Sequence, residues 1–178
     1  VPNISFGAPV ISSVRKITNA IFDVHLMIDE PIRYLDDFIK AGADMITVHY
    51  EACKDLDRTL ARIREGGVKA GLAISPDTSV DVLKHYVDMV DMILIMSVHP
   101  GFGGQSFIEN SLDKIVATKQ LLQEKGLDQV WIEVDGGIGA GNIEKVCEAG
   151  ANVFVAGSAV FKGDMAANTR QLLDLING

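Results

Sequence analysis

The chain has 178 residues, of which 48% are hydrophobic, and this length suits one domain with a full core. Its formal net charge of −8 argues against a nucleic-acid partner, which would call for a basic face, although loop N–H groups can still hold one small phosphorylated substrate. No apolar run reaches the roughly 18 residues of a membrane helix and no leader resembles a signal peptide, so we expect a cytoplasmic protein with no membrane partner.

Strand-like and helix-like segments alternate six times along the chain. A helical pattern at about Pro9–Ile17 precedes the first strand. The predicted strands are Phe22–Ile28, Met45–Tyr50, Ala70–Ile74, Met92–Val98, Val130–Val134 and Val153–Ala156. The predicted helices between and after them are Ile32–Ala41, Leu56–Glu65, Val80–Tyr86, Leu112–Lys125, Ile143–Ala149 and Met165–Ile176. This alternation predicts parallel strands joined by crossover helices.

Two α/β architectures fit this order, an open doubly wound sheet and a (β/α)8 barrel. An open nucleotide-binding sheet has its glycine-rich turn after the first strand, where this chain has MIDEPIRY. The glycine-rich turns follow the last three strands instead, in HPGFGGQ (99–105), DGGIGAG (135–141) and AGSAVF (156–161), as is typical of barrels. We therefore predict a TIM (β/α)8 barrel with six of its eight units visible, forming one barrel domain over residues 1–178 that is incomplete at its N-terminal side.

Asp135 is the first candidate for chemistry, because it ends a predicted buried strand and two glycines follow it. At the carboxyl end of a barrel strand its side chain would face the mouth, where barrel active sites lie. An aspartate that caps the next helix is the common alternative. We favour the functional interpretation because that helix is predicted to start only around Gly141 or Asn142.

His25 is the second candidate. By strand alternation it shares a face with Asp23 and Met27, and that face would point into the barrel. A lone strand histidine is usually structural. Its place near the carboxyl end of a strand is what favours a role in the site. We interpret His49 as a polar residue that lines the barrel, and Glu133, on the Asp135 face, as a paired structural charge.

Backbone donors cluster at three neighbouring strand ends. Glycine-rich turns expose N–H groups that can surround an anion. The set predicted to hold a phosphate and nearby substrate oxygens comprises Gly101, Phe102, Gly103, Gly104, Gly136, Gly137, Gly157 and Ser158. Met27 and Met96 are predicted to line the site, although methionines are more often core residues.

These segments resemble the ribulose-phosphate 3-epimerase family. The resemblance rests on VPNISFG, DVHLMI, AGADMITVHYEA, KAGLAISPDTSV, MSVHPGFGGQSFI, IEVDGGI and AGANVFVAGSAVF, which occur in the family's order over essentially the whole chain. It implies a (β/α)8 isomerase of the pentose phosphate pathway that interconverts D-ribulose 5-phosphate and D-xylulose 5-phosphate. Allulose-6-phosphate 3-epimerases share much of the pattern, so a six-carbon ketose phosphate is the alternative substrate.

The resemblance also implies one divalent metal ion (Zn, Mn, Fe or Co), bound by two histidines and two aspartates, and a pair of opposed aspartates for acid–base catalysis. His25 and Asp135 would be two of the metal ligands, His25 would also contact substrate, and Asp135 would be one of the two catalytic proton carriers. The family assembles as homo-oligomers, so a homo-oligomer is implied here.

One departure from the family pattern is large. The other histidine and aspartate lie in a motif like H-[IV]-D-[VI]-M-D-G, which in the family directly precedes the segment that begins here at Val1. The first two strands are therefore absent from this sequence, in agreement with the count of six. We expect the 178-residue chain alone to have impaired activity, and if it is complete it would be an inactive phosphate-binding barrel fragment.

Overall fold

The computed structural model describes residues 6–178 and contains a six-stranded parallel sheet with strands in the sequential order β1 to β6. The first five residues of the VPNISFG segment lie outside the described residues. The strands are β1 (Asp23–Leu26), β2 (Met45–His49), β3 (Lys69–Ile74), β4 (Met92–Met96), β5 (Trp131–Asp135) and β6 (Val153–Val155). All six predicted strands are confirmed, and this arrangement is a half-barrel with six of the eight units of a (β/α)8 barrel.

Helices connect the strands, as the sequence predicted. The α-helices are α1 (Ala8–Arg15), α2 (Leu35–Ala41), α3 (Leu56–Glu65), α4 (Ser111–Glu124), α5 (Ile143–Ala149), α6 (Ser158–Phe161) and α7 (Met165–Asn177). The connection predicted as a helix at Val80–Tyr86 is instead 3₁₀ helix at Val80–His85 and again at Val87–Met89. Its β-branched valines disfavour a regular α-helix, which explains the difference.

The core lies mainly between the sheet and its helices. Val24 and Leu26 of β1 face that layer and are buried, while Asp23 and His25 point to the other face, as alternation predicted. A smaller apolar cluster of Ala73, Leu94, Met96 and Val98, with Met27 packed against it, fills the inner face of the sheet. The inner face therefore holds most of the candidate site residues, and the outer face supplies most of the buried apolar surface.

Within residues 6–178 each outer strand of the sheet has one strand partner only. The β1 side carries exposed apolar side chains, including Phe6 (75% exposed) and Ile21 (76% exposed). These two residues also line a cavity of about 390 Å³ beside β1, together with Val10, Val14 and Phe22. Exposed apolar groups next to an unpaired strand edge are features that proteins normally cover.

Glycine ends two of the helices, as the segments AGADMITV (41–48) and AGANVFVA (149–156) predict by placing a glycine between a helix and a strand. Gly42 after α2 and Gly150 after α5 adopt positive φ angles of 101° and 117°, and the N–H of each bonds back to carbonyls of its helix. Such left-handed caps allow a helix to stop abruptly and turn into the next strand. Cys53 and Cys147 are free thiols. No helix in the described part of the chain is long and apolar enough to cross a membrane.

Candidate active site

The carboxyl ends of β4, β5 and β6 surround a cavity of about 280 Å³. Eleven of the twelve predicted site residues line it: Met27, Met96, Gly101, Phe102, Gly103, Gly104, Asp135, Gly136, Gly137, Gly157 and Ser158. The rest of the lining includes Val98, His99, Gln105, Ile138 and Val155. The three glycine-rich turns, which are far apart in the sequence, therefore meet at one end of the sheet beside one carboxylate.

His25, the twelfth residue, lies next to this cavity and faces Asp135. Its Nδ1 atom is 3.7 Å from Oδ2 of Asp135, and the two side chains are 17% and 25% exposed. Burial lowers the pKa of His25, although the neighbouring Asp135 carboxylate opposes that effect. A lowered pKa favours the neutral imidazole, which is the form that can bind a cation through a ring nitrogen.

His49 is more closely tied to the site than its predicted lining role suggested. Its Nε2 atom is 2.8 Å from Nε2 of His25, and the two ring planes are 17° from parallel with centroids 4.9 Å apart, so the rings meet end to end through these nitrogens. Its Nδ1 atom is 3.3 Å from Oε2 of Glu51. Glu51 was not predicted as a site residue. Its position two residues after His49, at the end of a strand, was the signal in the sequence that could have indicated it.

Glu133 was predicted to be a structural charge with a partner. It does have a partner, but that partner is another carboxyl group, and Glu133 is neutral rather than charged. It is 4% exposed and forms a side-chain hydrogen bond with Asp23. Burial first, and then the neighbouring Asp23, raises the pKa of Glu133 to about 9. A protonated Glu133 therefore donates to Asp23, because two adjacent ionised carboxylates would repel each other below the site.

The turn after β5 packs closely against the loop after β4. A Cβ atom on Gly136 would lie 2.6 Å from a methyl of Val98, and one on Gly137 would lie 2.5 Å from the backbone nitrogen of Phe107. Gly136 and Gly137 also adopt positive φ angles, of 131° and 66°. Both glycines are thus required by contact between the two loops, in addition to any approach of substrate.

Side chains hold these loops in place. The Gln105 amide donates to the carbonyl oxygens of His99 and Phe102, both at 2.8 Å. The Asn142 amide donates to the Gly137 carbonyl and its oxygen accepts from Gly139 N–H. Gln105 was not predicted as a site residue, although it belongs to the HPGFGGQ segment that drew attention to the loop.

Ser97 links the two loops directly and was also missed. Its buried hydroxyl donates to the Gly136 carbonyl at 2.7 Å, and its N–H donates to the Asp135 carbonyl at 2.9 Å. We expect Ser97→Ala to lower the free energy of unfolding by about 1–2 kcal/mol, because a buried carbonyl then loses its partner. Urea unfolding measures this, with the exposed Ser106→Ala as control; an equal loss in both variants would contradict it.

The chemistry of His25 and Asp135 fits part of a metal site. An imidazole nitrogen and a carboxylate oxygen are ligands for Zn, Mn, Fe and Co alike. Two ligands about 2.0–2.2 Å from one tetrahedral metal ion lie roughly 3.3–3.6 Å apart, close to the 3.7 Å observed. Within residues 6–178, no three His, Cys, Asp or Glu side chains are grouped to hold a metal ion, so these two residues provide half of the implied ligand set.

A model of the ribulose-phosphate 3 epimerase family matches residues 1–161. A ribulose-phosphate 3-epimerase of Bacillus subtilis is 51% identical over 161 residues, which cover 90% of this chain and 74% of that protein. One from Synechocystis is 55% identical over 163 residues, covering 90% of this chain and 70% of that protein.

Solved structures with low sequence identity share the fold. The crystal structure of a 3-hexulose-6-phosphate synthase superposes with a TM-score of 0.73 at 23% identity, covering 96% of this chain and 81% of that chain. At this identity the likeness establishes the architecture alone, and it agrees with the sequential parallel sheet described above.

Proposed function

Because this chain belongs to the ribulose-phosphate 3 epimerase family, we propose that it interconverts D-ribulose 5-phosphate and D-xylulose 5-phosphate by proton transfer at C3. The observation that carries this proposal is the single cavity in which Asp135 meets the three glycine-rich turns. A carboxylate beside backbone donors is the arrangement that a phosphorylated sugar with an exchangeable C–H bond requires.

Asp135 moves the proton on one face of C3. A carboxylate at this strand end reaches the cavity, and a general base or acid in such a position typically contributes about 10²–10⁴-fold. Inversion at C3 requires a second acid–base group on the opposite face. In the family pattern that group is the aspartate of the motif that precedes the segment beginning here at Val1.

His25 and Asp135 would hold a divalent cation, which is Zn, Mn, Fe or Co in the implied family site. When bound, such a cation supplies positive charge beside the substrate oxygens, so that the C3 proton is more easily removed. His25 itself contributes a neutral ring nitrogen and shields the Asp135 carboxylate from water on one side.

The glycine-rich turns bind and orient the substrate. N–H groups at Gly101, Gly103, Gly104 and Gly157 and the Ser158 hydroxyl are in reach of a phosphate in the cavity. The buried thioether of Met96 and that of Met27 form an apolar wall on the side of Asp135, which excludes water from the reacting carbon. Phe102, 67% exposed at the rim, is placed to cover the bound sugar.

The six units form part of one barrel domain that further strands complete. The apolar side chains along β1 and the cavity beside it support this proposal, because a strand pair that precedes β1 in the barrel would bury both. The relatives from Bacillus and Synechocystis are longer than the matched region, which also agrees with it. Cytoplasmic location and assembly as a homo-oligomer stay predictions.

The test is the reaction itself, run in D2O with a preparation whose intact mass is measured first. We expect D-ribulose 5-phosphate to give D-xylulose 5-phosphate that carries one deuterium at C3, because the proton removed exchanges with solvent. Mass spectrometry and NMR detect that label. Turnover of a six-carbon ketose phosphate without turnover of the five-carbon substrate would favour the alternative epimerase. No exchange with either substrate, in a preparation whose mass shows that it contains the preceding strands, would contradict the proposal.

A further inference from the structure

Four side chains form one polar series that leads to the candidate metal site. Glu51 contacts His49, His49 contacts His25, and His25 faces Asp135, with separations of 3.3, 2.8 and 3.7 Å. His49 is 5% exposed. In such a series the position of one hydrogen determines the positions of the next, because each neutral imidazole has one N–H and one bare nitrogen.

The Glu51 carboxylate starts the series, and both of its oxygens are committed. Oε1 accepts the Ser75 N–H at 2.8 Å and also the Thr78 hydroxyl, so Oε2 is left for His49. Although partial burial raises the pKa of Glu51, hydrogen bonds from His49, Thr78 and Ser75 hold it at about 2. An ionised carboxylate can only accept, so the hydrogen between Glu51 and His49 belongs to His49 Nδ1.

The next hydrogen follows from the first. A His49 ring with a single hydrogen, on Nδ1, has a bare Nε2. The His25 Nε2 atom lies 2.8 Å away, which is hydrogen-bonding distance, so it must carry the hydrogen that joins the two rings. Neutral His25 then has a bare Nδ1, and this is the nitrogen that faces Asp135.

We propose that Glu51 is a positioning residue that acts through His49 to hold His25 in the tautomer with hydrogen on Nε2, leaving the Nδ1 lone pair directed at Asp135. Two electron-pair donors then face each other with no hydrogen between them, which prepares them for a cation. This inference rests on the proposed function only in naming His25 Nδ1 as a metal-binding atom.

The opposite arrangement of hydrogens is disfavoured at the contact between His49 and Glu51. If His25 Nδ1 carried the hydrogen, it would donate to Asp135 and lose the lone pair needed for metal. His49 would then carry its hydrogen on Nε2 and turn a bare Nδ1 towards the Glu51 carboxylate, 3.3 Å away. Two acceptors repel each other more strongly at that distance than at the 3.7 Å between His25 Nδ1 and Asp135, so the shorter Glu51 contact biases the whole series.

Lys114 of α4 fixes the loop that orients Glu51. Its ammonium group donates to the carbonyl oxygens of Ser75 and Thr78, at 3.0 and 2.6 Å. The same two residues supply the donors to Glu51 Oε1. Lys114 thus holds the two residues that donate to Glu51. If the Glu51 carboxylate rotated, it would lose both of these hydrogen bonds.

Long-range 1H–15N NMR of the histidine rings in metal-free protein tests the proposal directly, since it distinguishes a protonated from a bare ring nitrogen. We expect wild-type His25 to carry its hydrogen on Nε2 and His49 to carry its hydrogen on Nδ1. A wild-type His25 with its hydrogen on Nδ1 would overturn the proposal, and this measurement requires no variant to fold.

Glu51→Gln is designed to reverse the series. The Ser75 N–H cannot turn away, so the new amide oxygen must face it and the amide NH2 group must face His49. We expect both rings to change tautomer and Zn²⁺ affinity to fall about 10–100-fold, as is typical when the partner of a ligand is lost. Glu30→Gln is the matched control, because the Glu30 carboxylate contacts Lys54 rather than a histidine, and it should change neither readout.

The two readouts separate this proposal from the proposed function. Reversed tautomers in Glu51→Gln support the positioning role even if Zn²⁺ proves not to bind at His25 and Asp135, a result that would count against the proposed metal site alone. Tautomers that stay as in the wild type in Glu51→Gln would overturn the positioning role, whatever the epimerase activity.

Discussion

Replacing Asp135 with asparagine is expected to reduce epimerase turnover by at least about 10²-fold, within the 10²–10⁴-fold range of a well-placed acid–base group. Asparagine has nearly the same size and can still accept hydrogen bonds, but its amide cannot take up and return a proton at neutral pH. It is also a weaker metal ligand than a carboxylate, so the loss of a ligand adds to the loss of the base. Turnover and C3 deuterium exchange, measured with D-ribulose 5-phosphate, report the effect.

Stability separates the loss of chemistry from the loss of fold. The Asp135 side chain is 25% exposed at the cavity, and we expect the asparagine variant to unfold within a few degrees of the wild type. Asp128→Asn, the same change at an exposed position before β5, is the matched control and should keep full activity. Near-normal turnover by Asp135→Asn, in a folded preparation, would show that another group carries the proton.

The fold was predictable because its signals are local. Six buried β-branched or apolar runs separated by helical patterns leave few alternatives to a parallel α/β sheet. Gly42 and Gly150 marked two helix ends correctly, because positive φ angles are a requirement that a single residue type meets. The 3₁₀ segments at Val80–His85 and Val87–Met89 were not predictable by spacing, since Val80, Leu83 and Val87 follow one another at intervals of three and four, which also suit an α-helix.

The site was predictable in its strand-end residues and not in its partners. Parallel strands bring their carboxyl ends together, so Asp135 and the glycine-rich turns could be placed at one edge from the sequence. The contacts of His25 with His49 and of His49 with Glu51 depend on rotamers and on the register of β1 with β2, which pairs His25 with Thr47. No sequence spacing specifies those.

Glu133 shows why charge at a buried position is hard to interpret from sequence. Its alternation with Asp135 placed it correctly on the inner face, but the sequence did not indicate which residue pairs with it. The nearest partner is Asp23, from a strand at the opposite edge of the sheet, and only the curvature of a half-barrel brings the two carboxyl groups together. The curvature of the sheet therefore decides whether a buried carboxyl group is ionised or neutral.

Gly137→Ala is expected to be the most destabilising single-methyl change in the site, lowering the free energy of unfolding by about 2–5 kcal/mol. The residue has a φ angle of 66°, which costs an alanine roughly 1–2 kcal/mol. The new Cβ would also lie 2.5 Å from the Phe107 nitrogen and 2.9 Å from the Gln105 oxygen, so backbone must move, and overpacking of this kind typically costs about 1–3 kcal/mol. Urea unfolding at neutral pH measures the sum.

Gly103→Ala is the matched control for that change. Gly103 lines the same cavity, yet a Cβ there would meet nothing within 4 Å, and its φ angle is not positive. We expect the free energy of unfolding of Gly103→Ala to stay within about 0.5 kcal/mol of the wild type, because the added methyl group contacts no other atom. If the two variants lose the same stability, the prediction is wrong. The close contact between the turn after β5 and the loop after β4 would then not explain the glycine at position 137. If Gly137→Ala alone is destabilised while the remaining folded fraction keeps its turnover, the glycine serves the packing of the two loops rather than the approach of substrate.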